Sequence, residues 1–188
     1  MATKVDRAPD FFTLLSAPGR SAEIPEEEDV YGWLCGSWDL NVVRYRGVDV
    51  AALGLTGEVH AARVLEGRAV QDVWIMPRCG ERHGASDPTM NMYGTTLRSW
   101  DGALQAWRIA WTNPVSGHRE EQVGRWNGRD ILQEGTRANG TKTRWTFTAI
   151  TGDSFRWRGE ALYPDTDAWV LEGEFLAKRT AGTAASRG

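Results

Sequence analysis

The chain has 188 residues, a formal net charge of −3 and a pI near 5.7, with acidic and basic residues interspersed. That length suits one domain with a buried core, and the charge pattern excludes the basic stripe of a nucleic-acid-binding protein. No apolar run is long enough for a membrane span and no basic-then-apolar leader opens the chain. The expectation is therefore a soluble, cytoplasmic protein with neither nucleic acid nor membrane as partner.

Ten Trp and 21 Gly are the unusual counts. Trp fills barrels and stacks on flat ligands, and glycines at turns and beside aromatics belong to antiparallel β architecture. Cys35 and Cys79 lack metal or redox spacing, so free thiols are expected.

Residues 1–28 form an irregular N-terminal extension. Asp10–Leu15 is an apolar patch closed by the breaker cluster Ser16-Ala17-Pro18-Gly19-Arg20. Docking on the domain is the favoured role for this patch; covering a cavity mouth or a homodimer contact are the others. Pro25–Asp29 predicts the first turn of a helix, with Pro at N1 and acids at the positive helix end. It ends within two turns, at Gly32 and Gly36, leaving Val30, Trp33 and Leu34 to plug something apolar. Residues 29–180 then form the domain proper, and 181–188 are expected as a disordered tail.

From Ser37 to Tyr45 the pattern alternates, Trp38, Leu40 and Val42 against Asp39 and Asn41, which predicts a half-buried strand. Gly36-Ser37-Trp38 at its start resembles the Gly-x-Trp signature of lipocalins and other calycins. In those proteins an Arg near the chain's end packs over the Trp, a place Arg179 would take here.

Further segments sharpen the resemblance: Gly57–His60 with Leu65–Trp74, Tyr93–Arg98, Trp107–Pro114 and Ile150–Phe155. Over roughly residues 30–178 the chain is similar to a family of uncharacterised bacterial calycin-like proteins. The resemblance implies an all-β fold, a single antiparallel up-and-down β-barrel of about eight to ten strands with a short N-terminal helix plugging one end. It brings no established chemistry. Where Asp-Pro and a longer turn are expected, this chain has Asp101-Gly102. Residues 77–90 have loop composition and could form a flap over one barrel end.

Two Asn-Gly pairs, Asn127-Gly128 and Asn139-Gly140, predict two-residue hairpins. Counting outward, Glu121 faces Glu134, Val123 faces Leu132, Glu134 faces Trp145 and Leu132 faces Phe147, so these share a face. An odd loop at Thr151-Gly152 sets Phe147 opposite Phe155 and Trp145 opposite Trp157. The last hairpin then sets Trp157 opposite Gly173 and Phe155 opposite Phe175. This aromatic face should point inward. Lys142, Arg144, Arg156, Arg158, Glu160, Glu172 and Glu174 fall on the other face as an exposed charge ladder, each pair contributing about 0–1 kcal/mol.

Glu121 and Glu134, inward beside Trp145, are candidate catalytic groups: two carboxylates in low dielectric cannot easily both ionise. Neutralisation by Arg119 or Arg125, or a place at a wet rim, is the bland alternative. On the next strand Trp107, Ile109, Trp111 and Asn113 share a face, and a five-residue loop through Pro114–Gly117 would set Trp111 beside Arg119. Trp107 and Trp111 are core or pocket wall, with Asn113 as a polar anchor. Arg98 joins that wall if Asp101-Gly102 makes a two-residue turn; a longer turn could put Tyr93 there.

His60 is the third candidate acid–base group, with Glu58 about 7 Å along the strand on the same side. A two-residue Glu66-Gly67 turn sets Gln71 on their face; a three-residue turn substitutes Asp72. His83 and His118 make no ligand pair, so no metal site is expected. No nucleotide loop or nucleophile elbow occurs. The leading function is binding of a small apolar or aromatic ligand by Trp107, Trp111, Trp145 and Trp157, oriented by Asn113, Glu134 and His60. A cofactor-independent lyase, isomerase or hydratase using Glu121/Glu134 or His60, with Arg98 stabilising negative charge, is the alternative. Haem through His60, Tyr93 or a flap histidine is a third, distant reading.

Overall fold

In the computed structural model, which describes residues 9–84 and 88–181, the chain closes into an antiparallel up-and-down barrel. Its ten strands are β1 (Gly36–Tyr45), β3 (Thr56–Val64), β4 (Ala69–Met76), β5 (Met92–Asp101), β6 (Ala106–Asn113), β7 (His118–Trp126), β8 (Ile131–Thr136), β9 (Lys142–Thr148), β10 (Ser154–Leu162) and β11 (Val170–Arg179). A short ribbon, β2 (Val48–Asp49), adds to β1, and β11 pairs back onto β1 to complete the circle. Every neighbour in the ring is also a neighbour in sequence except that closing pair, so short hairpins build nearly the whole wall.

One end is plugged. The helix expected from Pro25 forms instead as two single 3-10 turns, Glu26–Glu28 and Gly32–Leu34. Between Pro25 and Gly32 there are too few residues to offset the nucleation cost of an α-helix. The turns carry Ile24, Tyr31 and Leu34 into the barrel, each almost wholly buried. Two indoles tie the plug down: Trp107 Nε1 donates to Glu28 O at 2.8 Å and Trp38 Nε1 to Leu34 O at 2.7 Å.

Arg179 closes the same end. Its guanidinium stacks 4.0 Å from the Trp38 ring centroid and donates to the carbonyls of Cys35, Trp33 and Gly152. The pairing of Gly36-Ser37-Trp38 with a distant Arg is thus present in the fold.

The α-helix proper is α1, Phe11–Leu15, capped by Asp10 Oδ1 on the Phe12 and Thr13 amides. It docks through backbone bonds beside the β3–β4 turn, at Ala17 N to Arg63 O and Leu65 N to Leu15 O. Phe11, Phe12 and Leu14 stay exposed. Cys35 and Cys79 are free thiols. No described helix is long and apolar enough to cross a membrane. The expected tail, bar residue 181, and residues 1–8 of the extension lie outside the described residues.

The turns decide which side chains point inward. Two of them only slide the expected register by two positions, setting Trp157 opposite Phe147 and Phe175 and leaving the faces unchanged; three others also differ from the sequence reading. At the plugged end Asn127 faces Asp130, with Gly128-Arg129 between them. Val123 then opposes Glu134, two positions from the expected register, and the face assignment within β7 and β8 is unchanged.

At the other end Asn139-Gly140 belongs to a three-residue loop, Ala138-Asn139-Gly140. Arg137 N bonds Thr141 O, Gly140 N bonds Arg137 O, and Gly140 sits at φ +84°. The β6–β7 loop has four residues, setting Trp111 opposite Glu120. Each odd-for-even exchange reverses a face. Together they keep Trp111 and Trp145 inward while turning β7 and β8 over between them. Glu121 and Glu134 are therefore exposed on the outer wall, and Glu120, Gln122 and Gln133 are buried.

Candidate functional site

The barrel interior is solid at the plugged end and hollow at the other. The hollow has a volume of about 550 Å³. Trp74 on β4, Trp111 on β6, Trp145 on β9, Trp157 on β10 and Phe175 on β11 form its apolar walls. The rings meet edge to face or tilted: Trp145 lies 6.2 Å from Trp111 and 5.4 Å from Trp157, and Trp74 lies 5.8 Å from Trp157. Alternation puts these residues inside, and glycines make room for them. Trp145 stands directly opposite Gly159, where a Cβ would lie 2.6 Å from the Trp157 ring.

At the floor stands Arg98, on the wall because the Asp101–Ala106 turn keeps the inward parity of β5. Its Nη1 pairs with Asp72 Oδ2, and Asp72 Oδ1 accepts the Thr96 amide at 3.0 Å. Neither side chain of the pair is more than 2 % exposed. The Tyr31 and Phe147 rings lie 5.1 and 5.5 Å from the Arg98 Cζ. Burial pushes the Tyr31 phenol far above its ordinary value, against the pull of the Arg98 charge.

The mouth carries a chain of charged groups. Glu120, almost fully buried, accepts from His118 Nε2 at 2.9 Å and Arg137 Nε at 2.5 Å. Arg137 also donates to both oxygens of Glu172 at 3.1 and 2.8 Å, and the Tyr163 hydroxyl donates to the same carboxylate. Burial works against ionisation of Glu172, but hydrogen bonds from Arg137 and Tyr163 outweigh it and hold its carboxyl below the ordinary value. The bond to Glu172, aided by burial, pushes the Tyr163 phenol up.

Glu172 reaches the cavity through a bulge. Pairing passes from Gly159↔Gly173 to Glu160↔Leu171, so Glu172 has no partner across the ladder and is re-aimed inward. Its expected place on the outer ladder is thereby corrected. The other acids of that ladder are paired as expected but buried rather than exposed: Arg156 pairs with Glu174, and Arg144 with Glu160 at 3.0 Å.

Of the residues nominated from sequence, Arg98, Trp111, Asn113, Trp145 and Trp157 line the cavity. Trp107 is inward but lies against the plug, 5.2 Å from Tyr31, and not on the cavity wall. Tyr93 points outward beneath Arg82, and Arg98 takes the wall. His60 and Glu58 are on the outer face: His60 Nδ1 is 2.9 Å from Ser37 Oγ, and Glu58 accepts the Cys79 amide at 2.9 Å. Gln71 shares their face, opposite Ala62, while Asp72 points in. Glu121 and Glu134 stand outside the cavity for the parity reason given above, so neither they nor His60 can act on a molecule within it.

Sequence reasoning missed Trp74, His118, Glu120, Arg137, Tyr163 and Glu172 as site residues. His118 and Glu120, two apart on one strand, carried a usable signal once the loop before them is counted as four residues. The bulge that turns Glu172 inward left no such signal. Among the described residues no group of three or more His, Cys, Asp or Glu side chains is placed to hold a metal ion.

Fold and site together define a closed antiparallel barrel with a one-ended, tryptophan-walled cavity. No family model matches the chain, and no curated protein matches it in sequence.

Proposed function

We propose that this protein is a calycin-like binding barrel that takes up a small apolar or aromatic molecule. The observation that carries this reading is the convergence of four indoles on one hollow of about 550 Å³. A space of that size falls within the range of small-ligand sites, which are mostly apolar with a few placed polar groups. Trp74, Trp111, Trp145 and Trp157 supply the walls, while Arg98 at the floor and Asn113 supply polarity.

The test is titration of aromatic and alicyclic molecules against intrinsic Trp fluorescence. Saturable quenching that Trp145→Phe weakens is the expected result; a panel without response overturns the reading.

A second reading, a cofactor-independent proton-transfer enzyme in the same cavity, is favoured by one observation. His118 is at the mouth with Nε2 on Glu120, itself held by Arg137. A carboxylate holding one ring nitrogen leaves the other as the base. His118→Asn should then abolish turnover while ligand affinity persists, and undiminished turnover removes His118 from the mechanism.

A further inference from the structure

At the floor of the cavity a guanidinium has more donors than the protein uses. An arginine carries five N–H groups. Asp72 takes Nη1 of Arg98, and Nε has no acceptor. The partner carboxylate is already committed to Arg98 through one oxygen and the Thr96 amide through the other, and it stands behind the cavity wall. The ion pair is electrically neutral as a unit and sealed from water by Tyr31 and Phe147 on its far side.

Those facts select the chemistry of a ligand's inner end. A hydrogen-bond acceptor there gains a charge-assisted bond from Arg98. An anion at the same spot would be a third charge against an already balanced pair, leaving one net negative charge in a nearly dry site. A neutral oxygen avoids that cost.

We propose that the cavity recognises a neutral carbonyl compound, such as an aromatic or alicyclic ketone or ester. The oxygen is held by the donors Asp72 leaves free on Arg98, and the apolar body lies among the indoles. The inference rests on the binding-barrel reading and names the ligand class that reading leaves open.

The test uses three molecules on one naphthalene frame, measured by calorimetry on the full chain: 2-acetylnaphthalene, 2-ethylnaphthalene and 2-naphthoate. The ketone should bind about tenfold or more tighter than the hydrocarbon, as expected for a hydrogen bond to a charged group, and tighter than the carboxylate. In the double variant Asp72→Asn/Arg98→Met the ketone's advantage over the hydrocarbon should vanish, and the variant should fold because replacing a whole buried pair is tolerated far better than halving it.

Equal affinities for ketone and hydrocarbon in the unaltered protein overturn the proposal. So does a carboxylate that binds tightest and depends on Arg98, which would make the floor an anion site. Binding of none of the three takes down the binding-barrel reading itself, and this inference with it. Should the double variant not fold, the carbonyl stretch of the bound ketone decides: it lies below its position in cyclohexane if a donor holds it, and at that position if not.

Discussion

Gly94 stands against the edge of Trp111, so close that a Cβ built on it would lie 2.3 Å from Cη2 of the ring. The indole occupies space that a side chain on β5 would otherwise fill, and the cavity wall depends on that exchange. Gly94→Ala must push the Trp111 ring toward the hollow or tilt the strand. Overpacking of this kind costs about 1–3 kcal/mol. Chemical denaturation should show that loss, and affinity for any cavity ligand should fall with it. A variant with unchanged midpoint and affinity would mean that Trp111 does not hold its ring there.

Asp72 and Arg98 make a separate prediction about stability. Asp72→Ala alone strands a buried guanidinium, and halving such a pair costs about 3–5 kcal/mol. Adding Arg98→Met should restore a large part of that loss. A double-mutant cycle in urea therefore shows strong non-additivity; simple addition of the two single effects would argue that the pair is wetter than its burial implies.

The barrel and its aromatic lining were legible because both rest on period-two alternation, which survives any even change in loop length. Trp145, Phe147, Phe155, Trp157 and Phe175 all point inward although the β9–β10 and β10–β11 hairpins sit two positions from the expected register. What failed was odd against even. Ala138-Asn139-Gly140 is one residue longer than the strongest Asn-Gly turn, and the loop Pro114–Gly117 is one shorter than expected. Both Asn-Gly geometries are open to the same dipeptide, since Gly at positive φ serves either one. The choice between them depends on the packing of Glu120 and Gln122 inside, which local sequence does not reveal.

That reversal can be checked in solution on carboxylates of β7 and β8. Glu121→Gln and Glu134→Gln, both on the outer wall, should leave the unfolding midpoint and ligand affinity unchanged. Glu120→Gln gives up charged hydrogen bonds from His118 and Arg137 in a buried setting and should cost about 2–3 kcal/mol. The opposite ranking would restore the two-residue turn at Asn139-Gly140.

Arg179 joins the two ends of the chain's β-structure. One side chain covers Trp38 and donates to three carbonyls from two separate segments, the plug and the β9–β10 turn. Lys keeps the charge but cannot span those acceptors in one plane. Arg179→Lys should therefore lower stability by about 2 kcal/mol, the order of one or two charged hydrogen bonds. Amide exchange should also quicken along β1 and β11. Faster exchange elsewhere with β1 and β11 protected would locate the closure in another contact.

The mouth cluster should respond to pH with a sign set by Arg137. The folded Glu172 carboxyl lies below its ordinary value near 4.5, so its contribution to stability is present above that value and is lost as pH falls through the depressed one. Tyr163, raised above its ordinary value near 10, contributes below that value and is lost as pH rises through the raised one. Arg137→Met removes the cation shared by Glu120 and Glu172. Two neighbouring carboxylates without it favour protonation, so the variant should gain stability as pH falls toward the ordinary value near 4.5, whereas the parent should lose it only as pH falls below that value. Thermal midpoints at about pH 3 should then lie on opposite sides of their values at neutrality for the two proteins. Parallel curves would show that Arg137 is not what holds Glu172 ionised.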